Sequence, residues 1–140
     1  MQLINEKGVM AMIHKLGQVM VYVNDQDKAV TFWCDMLEFT IVADQKTDNG
    51  MRWVEIAPSK ESETSIVLHN KAKVAEMEPE INLGTPSLMF YSDKIELLYE
   101  KLAENNFPVG EITKLPSGRV FNFADYEGNY FAVMEKFIEK

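Results

Sequence analysis

At 140 residues, with 46% apolar and 26% charged side chains, the chain has the size and composition of one folded domain. A net charge of -8, with Arg52 and Arg119 as the only arginines, argues against a nucleic-acid partner, because phosphate binding needs surplus cationic side chains. The lone Cys34 excludes an internal disulfide, a Cys-rich zinc site and a CxxC pair, and no apolar run approaches the roughly 18 residues of a membrane span.

In chain order, residues 1–13 hold Glu6 and Lys7 within a weakly apolar stretch that lacks a small-residue cleavage signal, so they are expected to form an extension. The cytoplasm is the expected compartment, where a single reduced thiol is at home. A first unit is expected over residues 14–70. Gln18 to Val23 alternates, with Val19, Val21 and Val23 on one face and Gln18, Met20 and Tyr22 on the other, which predicts a strand. Asn24 or Asp25 then caps a helix whose Ala29, Phe32, Trp33 and Met36 form one apolar stripe, with Cys34 expected as a buried structural thiol. Strands are expected over Phe39 to Val42, Met51 to Ala57 and Ser65 to His69, with a turn at Asp48-Asn49-Gly50.

Residues 71–84 read as a charged connector containing Pro79, Gly84 and a solvated run from Glu76 to Glu80. The second unit, residues 85–140, opens with a strand near Ser87, in which Ser87, Met89 and Tyr91 share a face. Asp93 and Glu96 read as a capping pair for a helix with the stripe Ile95, Leu98, Tyr99 and Leu102. That stripe repeats the spacing of Ala29, Phe32, Trp33 and Met36 position for position, and Phe107-Pro108-Val109 echoes Phe39-Thr40-Ile41, which points to an internal duplication. Val109 to Thr113, Arg119 to Phe123 and Tyr130 to Met134 supply the last strands, with turns at Ser117-Gly118-Arg119 and Gly128-Asn129.

Each unit buries one sheet face under its helix, and the opposite face is the informative one. By alternation it carries Gln18, Met20, Tyr22, Trp53, Glu55, Ser65, Val67 and His69 from the first unit. The second unit adds Ser87, Met89, Tyr91, Tyr130, Ala132 and Met134. This mixture of apolar, aromatic and a few polar groups suits a small-molecule cleft, and equally a face buried against a second subunit.

The tandem βαβββ pattern resembles the vicinal oxygen chelate superfamily of glyoxalases, bleomycin-resistance proteins and extradiol dioxygenases. The residues that carry the likeness are Val19 to Asp25, Ala29 to Trp33, Leu37-Glu38-Phe39, Met51 to Pro58, Asp93 to Leu102 and Phe123 to Asn129. The resemblance implies an α+β fold, with tandem βαβββ modules forming a curved mixed sheet around a concave cleft, and often a homodimer. Catalytic relatives hold a divalent metal on four strands. Here those positions fall on Gln18, Val67, Ser87 (or Pro86) and Ala132, and three of the four lack a conventional donor. A relocated set of Gln18, Glu55 and His69 is the alternative.

Two functions follow from the resemblance. The first is a metal-independent binder of a small organic molecule, aromatic or cationic, held among Gln18, Met20, Tyr22, Trp53, Glu55, Val67, His69, Ser87, Met89, Tyr91 and Ala132. The second is a divalent-metal-dependent lyase, isomerase or dioxygenase using the relocated site. No cofactor is expected for the first, and neither reading involves nucleic acid or a membrane.

Overall fold

The computed structural model describes residues 3–138, so the outer ends of the expected extension and tail, residues 1–2 and 139–140, lie outside the described residues. Strand β1 (Gln18–Val23) leads into helix α1 (Gln26–Thr31), which widens into a π-turn over Phe32–Met36. Strands β2 (Thr40–Lys46), β3 (Arg52–Ala57) and β4 (Ser65–Asn70) complete the first module. Helix α2 (Lys71–Met77) leads on to β5 (Met89–Ser92), α3 (Ile95–Glu104), β6 (Thr113–Leu115), β7 (Gly118–Ala124) and β8 (Tyr130–Glu135). The modules build two separate four-stranded sheets, ordered β1-β4-β3-β2 and β5-β8-β7-β6. In both, the first strand runs parallel to the last and the remaining pairs are antiparallel. The expected α+β duplication is thus observed, strand for strand.

Several expectations are corrected. Within the charged connector, residues 71–77 form a helix that the sequence reading did not anticipate, capped by the Asn70 side chain, which accepts from Lys73 N–H. Asp93 does not cap α3. Lys94 holds the cap position with no side-chain bond, Asp93 pairs with the Lys94 ammonium at 3.3 Å, and Glu96 is drawn to Arg119 at 2.7 Å. The strand expected over Val109 to Thr113 is reduced to a bridge between Val109 and Phe123, followed by the short β6. The hairpin turn centres on Pro116-Ser117, and Gly118 begins β7 at φ 138°, where a Cβ would meet the Glu135 carbonyl at 2.8 Å. Strand β2 runs further than expected, to Lys46, and is interrupted by a bulge between Ile41 and Ala43. Cys34 is half-buried, and burial followed by the adjacent Asp35 charge pushes its thiol pKa up.

One core joins the modules through their helix-bearing faces. Val21, Val23, Val54, Ile56, Ile66 and Leu68 from the first sheet share a cluster with Phe121, Phe123, Phe131 and Val133 from the second. Phe32 and Trp33, both fully buried, cross the seam. Phe32 meets Phe107 at 4.9 Å and Phe123 at 6.2 Å, while Trp33 meets Phe90 at 5.6 Å and Phe131 at 5.2 Å, mostly edge to face. A regular α-turn would swing adjacent side chains about 100° apart. Both rings are nonetheless fully buried in this wider turn, closed by the bond from Leu37 N–H to the Phe32 carbonyl.

Polar contacts repeat with the fold. Arg52 on β3 donates to Asp27 of α1 and Asp44 of β2, and Arg119 on β7 binds Glu96 of α3 and Glu135 of β8. These bonds raise the pKa of both guanidiniums further and hold the Asp44 and Glu135 carboxyls below the usual range. The buried Gln26 amide donates to the Arg52 and Leu68 carbonyls, stitching the start of α1 to β3 and β4. Each module also ends its helix on a left-handed residue at the same point of the repeat, Glu38 at φ 61° and Asn106 at φ 66°.

A clasp closes the seam. Buried Asp125 accepts from the backbone N–H groups of Glu127 and Asn129, which shapes the turn. The turn presents the Glu127 carboxylate to the N–H groups of Asn24 and Asp25 in the other module, at 2.8–2.9 Å. These are charge-assisted bonds at the entrance to α1. Replacing Glu127 with Ala is therefore expected to lower stability by about 1–3 kcal/mol in urea unfolding. Glu38→Gly, which relieves a left-handed side chain, is expected to raise it by up to about 1 kcal/mol. Equal stability of all three proteins would contradict the clasp and the strain together.

Candidate functional site

The face of the first sheet turned away from the helices is built in rows set by strand register. Tyr22, His69 and Trp53 pair across β1, β4 and β3 to make an aromatic row. Tyr22 and His69 stack at 6.0 Å and 24°. Met20, Val67 and Glu55 form the next row, and Gln18 and Ser65 the one beyond. All these residues except the buried Ser65 and Val67 are exposed or half-buried.

Glu55 is the charged member of this surface. Its Oε2 accepts from the Ser65 hydroxyl at 2.5 Å and from the Gln18 amide at 3.3 Å. Among the described residues it makes no ion pair, since Arg52, three residues earlier on the same strand, points to the opposite face and is taken by Asp27 and Asp44. Ser65 and Gln18 thus hold one oxygen of the carboxylate, while Oε1 makes no hydrogen bond among the described residues.

His69 is held differently. Its Nε2 lies 3.3 Å from the Met20 thioether, and its Nδ1 is buried without a hydrogen-bond partner among the described residues. Burial pushes the imidazole pKa below its ordinary value. Gln18 and Glu55 are therefore in contact, but His69 stands a row away with its ring turned to Met20. Among the described residues no three His, Cys, Asp or Glu side chains converge as a metal group would require. The relocated set of Gln18, Glu55 and His69 does not converge on a divalent ion in this arrangement.

The second sheet offers a more open, less polar face. Met89 pairs with Ala132 and Tyr91 with Met134, and Asn122 adds an amide opposite Ala132. Met89, Tyr91 and Tyr130 are 48%, 68% and 58% exposed, and Lys136 sits over the Tyr91 ring at 5.6 Å. Ser87, Asn122, Tyr130 and Ala132 line a shallow cavity of about 300 Å³ here. That cavity draws on the second sheet alone and takes nothing from the open face of the first. Another cavity, of about 370 Å³, lies at the module seam between Leu37, Phe39, Phe90, Leu98 and Lys101. Sequence reasoning missed it, because it arises from packing between modules and not from strand alternation. Tyr91 alone of the expected cleft residues reaches its wall.

The sequence profile of the Glyoxalase/Bleomycin resistance protein/Dioxygenase superfamily matches residues 15–133. The uncharacterized protein YetH of Bacillus subtilis (strain 168) is 35% identical over 125 residues, covering 89% of this chain and all of its own. Among solved structures, TnmS3, an antibiotic binding protein from Streptomyces sp. CB03234, superposes with a TM-score of 0.75 at 28% identity, covering 91% of this chain and 99% of its own. A glyoxalase/bleomycin resistance protein/dioxygenase superfamily member from Sphaerobacter thermophilus DSM 20745 also reaches a TM-score of 0.75, at 26% identity over 90% of this chain and all of its own.

His69 gives this face a pH signature. The folded imidazole titrates below the 6.5 of an ordinary histidine, so unfolding takes up a proton once the pH falls below about 6.5. Its contribution to stability is complete at neutral pH and is lost on acidification through the folded pKa. Between pH 7 and 5 the wild type should lose more stability than His69→Gln, measured by urea unfolding at each pH. Parallel curves would show that burial does not disfavour the charged ring.

Proposed function

The chain belongs to the Glyoxalase/Bleomycin resistance protein/Dioxygenase superfamily, and we propose that it binds a small planar organic molecule, bearing a cationic or hydrogen-bond-donating group, without a divalent metal. The observation that carries this reading is the Glu55 carboxylate. Fixed by Ser65 and Gln18 but not neutralised, it lies beside the row of Tyr22, His69 and Trp53. A planar ring gains contact area and quadrupole attraction on such a row, and a ligand N–H or cation completes the carboxylate. The antibiotic-binding activity of TnmS3 supports this class of ligand.

In this reading the cleft is completed by a second copy. The shared core points the two open faces of one chain outward, so the first-sheet face of one protomer meets the second-sheet face of its partner. Met89, Tyr91, Ser87 and Ala132 of that second-sheet face then close over the bound ring. The homodimer removes from water the apolar surface that Met20, Met89, Tyr91 and Tyr130 expose in the single chain. No helix among the described residues is long and apolar enough to cross a membrane, and the lone half-buried Cys34 suits a reducing cytoplasm.

Isothermal titration tests the ligand class with two probes of similar shape, a cationic aminoacridine and a neutral anthraquinone. Saturable binding of the acridine is expected, weakened at least tenfold by Glu55→Gln, with the anthraquinone changed less than threefold. Trp53→Ala should weaken both. No saturable heat with either probe would overturn the reading. Metal binding is checked on the same preparation. Thermal melts with EDTA, nickel, manganese, iron and zinc should coincide. Stoichiometric metal with a chelator-sensitive melt would replace this proposal with the metal-dependent lyase, isomerase or dioxygenase built on Gln18, Glu55 and His69.

A further inference from the structure

Where the two modules meet beside α3, their shared core does not close. Phe39, just before β2, and Phe90 on β5 meet edge to face at 5.9 Å, one ring from each module. With Leu37 and Leu98 they wall the seam cavity of about 370 Å³, which the buried Phe123 and Val133 floor. Leu37, Phe39, Phe90 and Leu98 pack against the core yet stay only half-buried, so part of each is left to water. A hollow of this size lies within the roughly 300–1,000 Å³ of small-molecule sites, and its wall is already assembled in the single chain.

The charges around it have a sign. Lys94, Leu97, Leu98 and Lys101 fall at i, i+3, i+4 and i+7 along the cap and body of α3, and all four line the cavity. Lys94 is paired with Asp93 at 3.3 Å, whereas the half-buried Lys101 makes no ion pair among the described residues. Glu38 also reaches the wall, but it is exposed, and a hydrated charge opposes an arriving anion only weakly. A half-buried ammonium without a counter-ion gains more from a ligand carboxylate.

The duplication shows what kind of group completes such a seam. At its other end the turn between β7 and β8 lays the Tyr126 ring against Phe32 and Phe107, at 6.2 and 4.9 Å, and delivers the Glu127 carboxylate to the first module. The cavity left there, about 360 Å³, carries Asn105, Asn106 and Asp125 on its wall and no lysine. The corresponding turn between β3 and β4, residues 58–64, contributes only Pro58 to the cavity beside α3. One turn thus supplies a ring and a carboxylate to its end of the seam, and the matching turn supplies neither.

We propose that the seam cavity binds a small aromatic carboxylate, with its ring among Phe39, Phe90 and Leu98 and its carboxylate on Lys101. The ligand joins the modules beside α3 as Tyr126 and Glu127 join them beside α1. This site lies apart from the outer face that carries Glu55, and neither reading depends on the other.

The probes are 3-phenylpropanoate and its uncharged amide, titrated into the full chain while the methyl resonances of Leu37, Leu98 and Val133 are followed by NMR. The methyls of Met20 and Val67 report the outer face in the same spectra. Saturation of the seam methyls is expected at low-millimolar acid, the affinity that about a dozen non-hydrogen atoms supply at ordinary ligand efficiency. The amide should bind at least about fivefold more weakly. Lys101→Gln, which keeps a good helix former on α3, should weaken the acid by about fivefold and the amide by less than about twofold. Lys101→Arg keeps the charge and should bind the acid within about threefold of wild type. Equal affinities for acid and amide, or an acid indifferent to Lys101→Gln, would overturn the proposal. So would shifts confined to Met20 and Val67, which would seat the acid on the outer face, or no saturation below about 20 mM.

Discussion

Two neighbouring side chains, Phe32 and Trp33, determine how this molecule is put together. Both leave the first module and insert into the aromatic layer of the second, among Phe90, Phe107, Phe123 and Phe131. A sheet has two faces, and this plug commits the helix-bearing face of each module to the same core. The other two faces therefore point away from each other. The plug also carries a local penalty, because the Trp33 indole N–H is buried with no hydrogen-bond acceptor among the described residues. Leaving a buried donor unpaired typically costs about 1–3 kcal/mol, partly relieved where aromatic rings surround it. The burial of two large rings outweighs that loss, and the Glu127 clasp reinforces the same seam with charged hydrogen bonds.

The placement of charge follows from this division of faces. Each arginine ties the helix of its module to its sheet, so both guanidiniums are spent on the structural side of the molecule. The outward face of the first sheet retains a carboxylate without a counter-ion, while the second adds Lys136 at its rim over Tyr91. In a chain of net charge -8 this is a local asymmetry, not a general excess. Ser65 and Gln18 hold the Glu55 carboxylate in place at this half-buried position through hydrogen bonds to one of its oxygens.

Much of the fold was legible in the chain. Alternation along Gln18 to Val23 and the repeated helix stripes identified strands, helices and duplication, because periodicity and burial report the same physical fact. The rows of the candidate surface were legible for the same reason, since strand register keeps Tyr22, His69 and Trp53 on one side. What could not be read depends on partners distant in sequence. Asp93 has the chemistry of a cap, but Lys94 takes its charge and Arg119 takes Glu96. Gln26 reads as an ordinary polar residue of the first turn, and only the fold brings the Arg52 and Leu68 carbonyls to it. Glu127 stands beside the turn at Gly128-Asn129, and nothing local signals that its carboxylate reaches Asn24 and Asp25.

The burial of Trp33 beside the half-exposure of Trp53 has an optical consequence. The two tryptophans of the chain occupy opposite surroundings, one a dry aromatic cage at the seam and the other an open sheet face. An indole in apolar surroundings emits at shorter wavelength than one that water can reach. The intrinsic emission of this protein therefore contains a blue component that shifts only when the modules separate. Its red component answers to whatever covers the outer face. Spectral deconvolution separates the joining of modules from occupancy of the face in a single unlabelled sample.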